Sequence, residues 1–229
     1  MPVPCTMKNP EALISIFLVV LNLATGALGQ DVSGMTLAEE LKGLEPGPRI
    51  AYTRHLIREG RDDAEVFFQL AVAYHESSLP DSAIRYYGEA VGRDPDHFKS
   101  YVNLGVLYDD RGDLHKAEKN FLAAVRVNPD DVLANSHLAF MIFQQKRYDR
   151  AWVFLSKALE LAPDHPQPMF YLAIFFWENK MFREALREWE KVVDVAPGSY
   201  LADRARENIV LLQKALNDPV PTGDTKPIR

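Results

Sequence analysis

Between residues 64 and 199, large apolar residues recur at helical spacing in short blocks, and turns rich in Pro, Asp and Gly separate the blocks. The blocks form repeated units, the first of which begins at Ala64, and each unit has a leucine at its seventh place and a small residue, Ala or Gly, at its eighth. Apolar positions with this spacing predict paired α-helices. The leucines are Leu70, Leu104, Leu138 and Leu172.

Four prolines and four alanines recur at one fixed interval, which is the period of the pattern. Proline lacks an amide donor and clashes with the preceding turn, so each proline ends the second helix of its unit. Each alanine lets two antiparallel helices approach closely. A fixed period of roughly 20–50 residues is typical of stacked arrays of helices or strands. Such arrays act mainly by binding other molecules. The residues are Pro95, Pro129, Pro163, Pro197, Ala83, Ala117, Ala151 and Ala185.

The repeated unit resembles the tetratricopeptide repeat. The second unit matches the family's preferred residues best, with Leu104, Gly105, Tyr108, Gly112, Ala117, Phe121, Ala124 and Pro129. The resemblance implies an all-α fold, a right-handed superhelical α-solenoid of helix-turn-helix repeats with a C-terminal capping helix. The departures are mild, since Ser78, Lys146 and Lys180 stand where a turn glycine is common.

The repeat boundaries and the flanking sequences divide the chain into segments. After Ser199, apolar residues continue at helical spacing with charged residues on the other face, which predicts a solvated terminal helix. The last residues carry three prolines and few apolar side chains, which is typical of disorder. We predict an N-terminal cap or degenerate half-repeat at 30–63, repeats at 64–97, 98–131, 132–165 and 166–199, a capping helix at 200–216 and a disordered tail at 217–229.

The amino-terminal segment, 1–29, resembles a secretory signal peptide. Residues 12–21 are almost purely apolar, Lys8 precedes them, and small residues at 27–29 suit a signal peptidase. We therefore predict an exported protein, periplasmic or extracellular. Two alternatives remain: an uncleaved anchor at residues 12–29, although a spanning helix needs about 20 apolar residues, and a buried helix. The start is also open between Met1 and Met7.

Cysteine use, charge and motif content exclude several classes of function. The only cysteine, Cys5, would be lost on cleavage, so the mature chain would have no disulfide. A formal net charge of -6 and scattered basic residues argue against nucleic acid as a partner. The six histidines show no metal-binding spacing, and there is no phosphate-binding glycine loop or serine elbow. We expect no catalytic residue, metal or cofactor, and no enzyme activity.

The resemblance implies a concave groove lined by the first helix of each repeat. Carried over place by place, it predicts an apolar strip at one end and a polar, mainly acidic region at the other. Such a groove would bind a protein or peptide segment with an apolar anchor and basic residues. The alternative is that some of the aromatic rings pack against a neighbouring helix. The predicted strip is Phe140, Phe143, Phe170, Tyr171, Ile174 and Trp177, and the polar residues are Asn103, Glu65, Glu76, Asp109 and Asp110.

Members of the family that clamp the carboxyl termini of cytosolic chaperones use lysine, asparagine and arginine at set groove places. When that pattern is aligned with this chain from the first unit onward, only Asn103 matches. The sequence therefore disfavours a carboxylate clamp.

Three functions are consistent with the sequence. The first is a non-enzymatic scaffold or adaptor that binds a partner's segment in the groove, in the periplasm or cell envelope. The second is a structural array that self-associates. The third is an assembly factor for envelope, secretion, pilus or cytochrome maturation, held in the membrane by residues 12–29. The sequence leaves the oligomeric state open.

Overall fold

A computed structural model describes residues 36–217, and these contain eleven α-helices and no β-strand. The fold is therefore all-α, as the sequence predicts. The predicted signal peptide and the tail from residue 218 lie outside the described residues. The helices are α1 (Leu37–Glu40), α2 (Pro46–Arg58), α3 (Ala64–Glu76), α4 (Pro80–Arg93), α5 (Phe98–Asp110), α6 (Leu114–Val127), α7 (Val132–Gln144), α8 (Tyr148–Leu161), α9 (Pro166–Glu178), α10 (Phe182–Val195) and α11 (Tyr200–Asn217).

The chain forms two compact units that divide between Leu107 and Tyr108. In the first unit, α2 and α4 both pack against α3, and α1 also contacts α3. In the second unit, α7 packs against α6, α8 and α9, while α10 packs against α9 and α11. The last helix, α11, therefore covers the final hairpin as a C-terminal capping helix.

Local capping chemistry starts the helices of the repeats. Helices α3, α5, α7 and α9 begin at the first residue of the four sequence units. Asp63 and Asp131 precede α3 and α7, and their carboxylates accept hydrogen bonds from the amides of Val66 and Ala134 at 3.0 and 2.7 Å. Asp113 caps α6 in the same way. These bonds satisfy amides that have no partner inside the helix.

The turn between the two helices of each hairpin uses a left-handed residue. The residues are Ser78, Gly112, Lys146 and Lys180, with φ of 57°, 74°, 60° and 61°. In each turn, the amide after that residue donates to a carbonyl one turn back in the first helix, as Arg147 does to Ile142 at 3.3 Å. Three side chains thus occupy a conformation that suits glycine.

Alanines at the eighth and twentieth places are buried where the two helices of a hairpin meet. None of the six in the first, third and fourth units is more than 3% exposed. The large residue at the twenty-fourth place of each unit is buried too. The largest of them, Trp189, is fully covered. The prediction that small residues allow close approach is confirmed, and the large side chains fill the space beside them. The alanines are Ala71, Ala83, Ala139, Ala151, Ala173 and Ala185.

The left-handed turn gives a first prediction. Lys146→Gly should raise the free energy of unfolding by about 0.5–1 kcal/mol, because a Cβ in this conformation costs about 1–2 kcal/mol and the entropy of glycine returns part of that gain. Chemical denaturation followed by circular dichroism measures the change. The control is Lys146→Ala, which loses the same side chain but keeps the Cβ. Equal stabilities of the Gly and Ala variants would contradict the prediction.

Candidate functional site

Five of the six residues of the predicted aromatic strip are buried inside the second unit. The prediction that they line an open groove is wrong, because α7 and α9 pack side by side and their rings fill the space between them. Only Phe143 of the six keeps part of its surface exposed. The buried residues, none more than 9% exposed, are Phe140, Phe170, Tyr171, Ile174 and Trp177.

Ring contacts account for this burial. Phe140 of α7 stacks on Tyr171 of α9, with centroids 4.4 Å apart and planes 5° from parallel. Trp177 meets Trp189 and Phe182 of α10, at 5.7 Å in each case. Aromatic pairs at these separations contribute stability beyond their buried area. These side chains therefore hold helices together and are closed to a ligand.

A polar pair, the buried Tyr171 and the half-buried His137, lies within the aromatic packing. The hydroxyl of Tyr171 is 2.9 Å from Nδ1 of His137. The imidazole also stacks on Phe121, with centroids 4.9 Å apart. Burial lowers the pKa of His137 to about 4, because the charged imidazolium would lose its hydration. The neutral imidazole can then accept the tyrosine's hydrogen bond.

The predicted polar residues of the first unit bind neighbouring side chains. Glu76 pairs with Arg49, and Glu65 lies 3.5 Å from Nε2 of His97. The hydrogen bond to His97 holds the pKa of Glu65 below its usual value. The side-chain amide of Asn103 donates to the carbonyl of Lys99 at 2.8 Å. These groups are engaged within the unit, so a ligand would have to displace their partners.

The last two predicted acidic residues lie near the aromatic core of the second unit. Burial raises the pKa of the Tyr171 hydroxyl, and the negative charges of Asp109 and Asp110 raise it further. This electrostatic coupling places both acids within range of Tyr171. That Asp109 and Asp110 contact a ligand at the acidic end of a groove stays a prediction.

A different set of rings reaches the surface of the second unit. Phe143 contacts Tyr148 at 5.2 Å and Phe175 at 5.3 Å, measured between centroids. Trp152 lies 5.9 Å from Phe175. We name these four residues the surface aromatic cluster. It joins α7, α8 and α9 at the edge where the first helix of the third repeat turns into the second.

Two rings of the surface aromatic cluster are strongly exposed. Tyr148 is 44% exposed and Trp152 is 45% exposed, while Phe143 and Phe175 are half-buried beneath them. Large aromatic side chains at a surface, held by other rings, lose little conformational freedom when a partner binds. The turn before Tyr148 presents two exposed cations, Lys146 and Arg147.

The carried-over groove pattern included Phe143 but missed the two exposed rings, because it considers only the first helix of each repeat. Tyr148 and Trp152 stand on α8, a second helix, at the seventeenth and twenty-first places of the unit. The third unit alone has an aromatic residue at both places, and that contrast is the signal in the sequence. The corresponding pairs are Pro80 and Ile84, Leu114 and Glu118, and Phe182 and Leu186.

Within residues 36–217, no three or more His, Cys, Asp or Glu side chains group closely enough to hold a metal ion. In the same part of the chain, no helix has the length and apolar character needed to span a membrane.

The tetratricopeptide repeat family matches two overlapping stretches, residues 68–115 and 102–166. Together these stretches cover residues 68–166, which is less than half of the chain. TTC0263, a thermophilic TPR protein of Thermus thermophilus, has a similar structure, with a TM-score of 0.58 and 21% identity over 86% of this chain and 97% of that one. YrrB, described as a TPR protein with an unusual peptide-binding site, gives a TM-score of 0.52 at 15% identity, over 86% of this chain and 92% of its own. At these identities the likeness shows the fold alone.

Among curated proteins, human protein O-mannosyl-transferase TMTC3 is 22% identical over 158 residues. That match covers 67% of this chain but only 17% of the human protein. This chain therefore spans less than a fifth of that relative. Tetratricopeptide repeats generally form non-enzymatic scaffolds for protein partners, and the fold of this chain is consistent with that role.

The lowered pKa of His137 predicts a dependence of stability on pH. As the pH falls below 6.5, the unfolded chain binds a proton at His137 that the folded protein excludes until about pH 4. The free energy of unfolding should fall with pH over this range, by up to about 1.4 kcal/mol per pH unit from this group. Denaturation curves at several pH values should show a shallower dependence for His137→Asn than for the wild type. The exposed His115→Asn is the control, and equal slopes for His137→Asn and the wild type would refute the assignment.

Proposed function

We propose that this protein is an exported, non-enzymatic scaffold that binds a segment of a partner protein through its surface aromatic cluster. The proposal rests on one observation. Tyr148 and Trp152 are each nearly half exposed, and they pack on two further rings, Phe143 and Phe175. Contiguous exposed apolar surface of this kind typically marks an interaction site. The proposal keeps the sequence-based function and moves the binding surface from the inner groove to this edge.

The chemistry of the cluster favours an apolar anchor on the partner. Trp and Tyr are over-represented among residues that dominate interface energies, because their rings bury much area at small entropic cost. Phe143 and Phe175 fix the positions of the outer rings in advance, which further lowers the cost of ordering. Lys146 and Arg147, exposed beside Tyr148, would favour an acidic residue next to that anchor.

Trp152 provides the test of this surface. A photo-crosslinking amino acid in place of Trp152, in the full chain expressed in its own host, should form an adduct with a defined partner. The purified partner should then bind the Trp152→Ala variant at least tenfold more weakly than it binds the wild type, as expected when an aromatic anchor of an interface is removed. Isothermal titration calorimetry measures the loss.

Val210 on α11 is the matched control, because it is 62% exposed and lies outside the cluster. A cross-linker at Val210 should give no such adduct, and Val210→Ala should keep wild-type affinity. Adducts of equal yield at both positions, or a change below twofold for Trp152→Ala, would remove the cluster as the binding site.

The proposed export rests on the amino-terminal sequence. Small residues at 27–29 follow the apolar stretch, so signal peptidase cleavage would leave a mature chain that starts near Gln30. Amino-terminal sequencing of the protein from its host should find that start. A protein that retains residues 12–29 and sediments with membranes would favour the anchored assembly factor instead. A concentration-dependent oligomer in sedimentation experiments, lost in Trp152→Ala, would favour the self-associating array.

A further inference from the structure

A cleft of about 670 Å³ opens in the first unit, between α2 and α4. Both helices pack against α3, whose Phe67 also lines the cleft. Cavities of this size are typical of ligand sites. We name it the arginine cleft, because Arg54 and Arg58 project from α2 and Arg85 from α4. It lies in the other compact unit from the surface aromatic cluster.

The arginines of the first unit fall into two groups of three. Arg49, Arg61 and Arg93 each pair with a carboxylate of the same unit. In the part of the chain that the structure describes, Arg54, Arg58 and Arg85 have no carboxylate within ion-pair distance, and all three are exposed. The unpaired arginines are the ones that line the cleft.

The lining of the cleft holds three arginines and a single carboxylate, so positive groups are in excess. Glu89 also lines the cleft, but its carboxylate is 2.9 Å from Arg93. Nε of Arg58 donates to the carbonyl of Arg54 at 3.3 Å, a contact that neutralises neither charge. Like charges four residues apart on a helix destabilise it. A bound anion would relieve this repulsion.

Aromatic rings form the apolar wall of the cleft. Tyr86 stacks between Phe67 and Tyr74, with centroids 6.3 and 5.3 Å away. The guanidinium of Arg85 lies 5.4 Å from the centre of the Tyr86 ring. A guanidinium held over a ring keeps its planar donor edge available for a carboxylate. The cleft therefore combines three cations with an apolar surface.

We propose that the arginine cleft binds an acidic segment of a protein partner, with carboxylates at alternate positions and an apolar side chain beside them. Alternate residues of an extended segment are about 7 Å apart, close to the roughly 6 Å between residues four apart on a helix. Two carboxylates could thus meet Arg54 and Arg58, and each guanidinium can bind one through two hydrogen bonds. The apolar side chain would contact Tyr86, which is half-buried at the cleft.

The charge of the whole chain selects a short acidic segment over an extended polyanion. At a formal net charge of -6, the protein would bring much acidic surface against an extended nucleic acid or an anionic membrane, which opposes binding. A segment with two or three carboxylates interacts only locally, since salt screens charges beyond about 10 Å. Within the first unit, the unpaired arginines line one recess, which suits a ligand of that length.

A synthetic peptide tests the cleft directly. The probe is a fluorescein-labelled peptide containing Glu-Ser-Glu-Phe, titrated with the full chain and followed by fluorescence anisotropy. We expect saturable binding that weakens at least tenfold when both glutamates become glutamine, and again when salt is raised to high concentration. The triple variant Arg54→Gln, Arg58→Gln, Arg85→Gln should lose at least tenfold in affinity.

A second triple variant controls for the loss of charge. Arg126→Gln, Arg187→Gln, Lys214→Gln removes three exposed cations outside the cleft and should bind within twofold of the wild type. Equal thermal melts of all forms establish that the variants are folded. The proposal fails if the cleft variant binds as tightly as the control, if the glutamine peptide binds equally, or if no peptide binds.

The remaining outcomes are also decisive. Dimerisation of the wild type that the cleft variant abolishes would identify a second copy as the occupant and overturn the proposal. The cleft variant should still cross-link through position 152. Loss of peptide binding with retained cross-linking therefore separates this site from the surface aromatic cluster, and either site can fail without the other.

Discussion

Close packing of two antiparallel helices at buried alanines is the constraint on which the rest of the structure depends. Ala139 and Ala151 bring α7 and α8 together, and Ala173 and Ala185 do the same for α9 and α10. No larger side chain fits where two backbones come this close. The hairpins are therefore narrow, and the large residues must be placed either between hairpins or at their edges.

The period and the helix starts could be read from the sequence because they depend on local sterics. Small residues and prolines each act on their own turn, and the four units repeat them in phase, while capping aspartates precede the first and third units. The left-handed turn is equally local, so Lys146 lies where a glycine is usual. The all-α fold follows from these positions without knowledge of any contact between hairpins.

Whether each aromatic residue is buried or exposed could not be predicted from the sequence in the same way. Phe140 occupies a groove position, but the ring that covers it belongs to Tyr171, which stands in the following unit. Whether a groove ring is open or covered depends on the size of that neighbour. Tyr148 and Trp152, in contrast, lie on the outer edge of α8, and both stay exposed.

The net charge could be predicted from the sequence, but the pairing of individual charged residues could not. The sequence correctly gives an acidic chain, yet the acids chosen as ligand contacts, Glu65 and Glu76, are used by His97 and Arg49. The cations that stay unpaired, such as Arg54 and Arg85, stand out only when their neighbours in space are known. Net charge is a sum over composition, whereas pairing is a property of the packed helices.

The three tryptophans divide into a buried pair and a single surface residue. Trp177 and Trp189 are packed together 5.7 Å apart at an angle of 52°, and aromatic side chains fixed by tertiary packing give a near-ultraviolet circular dichroism signal. Trp152 is open to solvent, where a dissolved quencher can reach its emission. The protein therefore contains two independent optical reporters, one for the docking of α9 on α10 and one for the state of its outer surface.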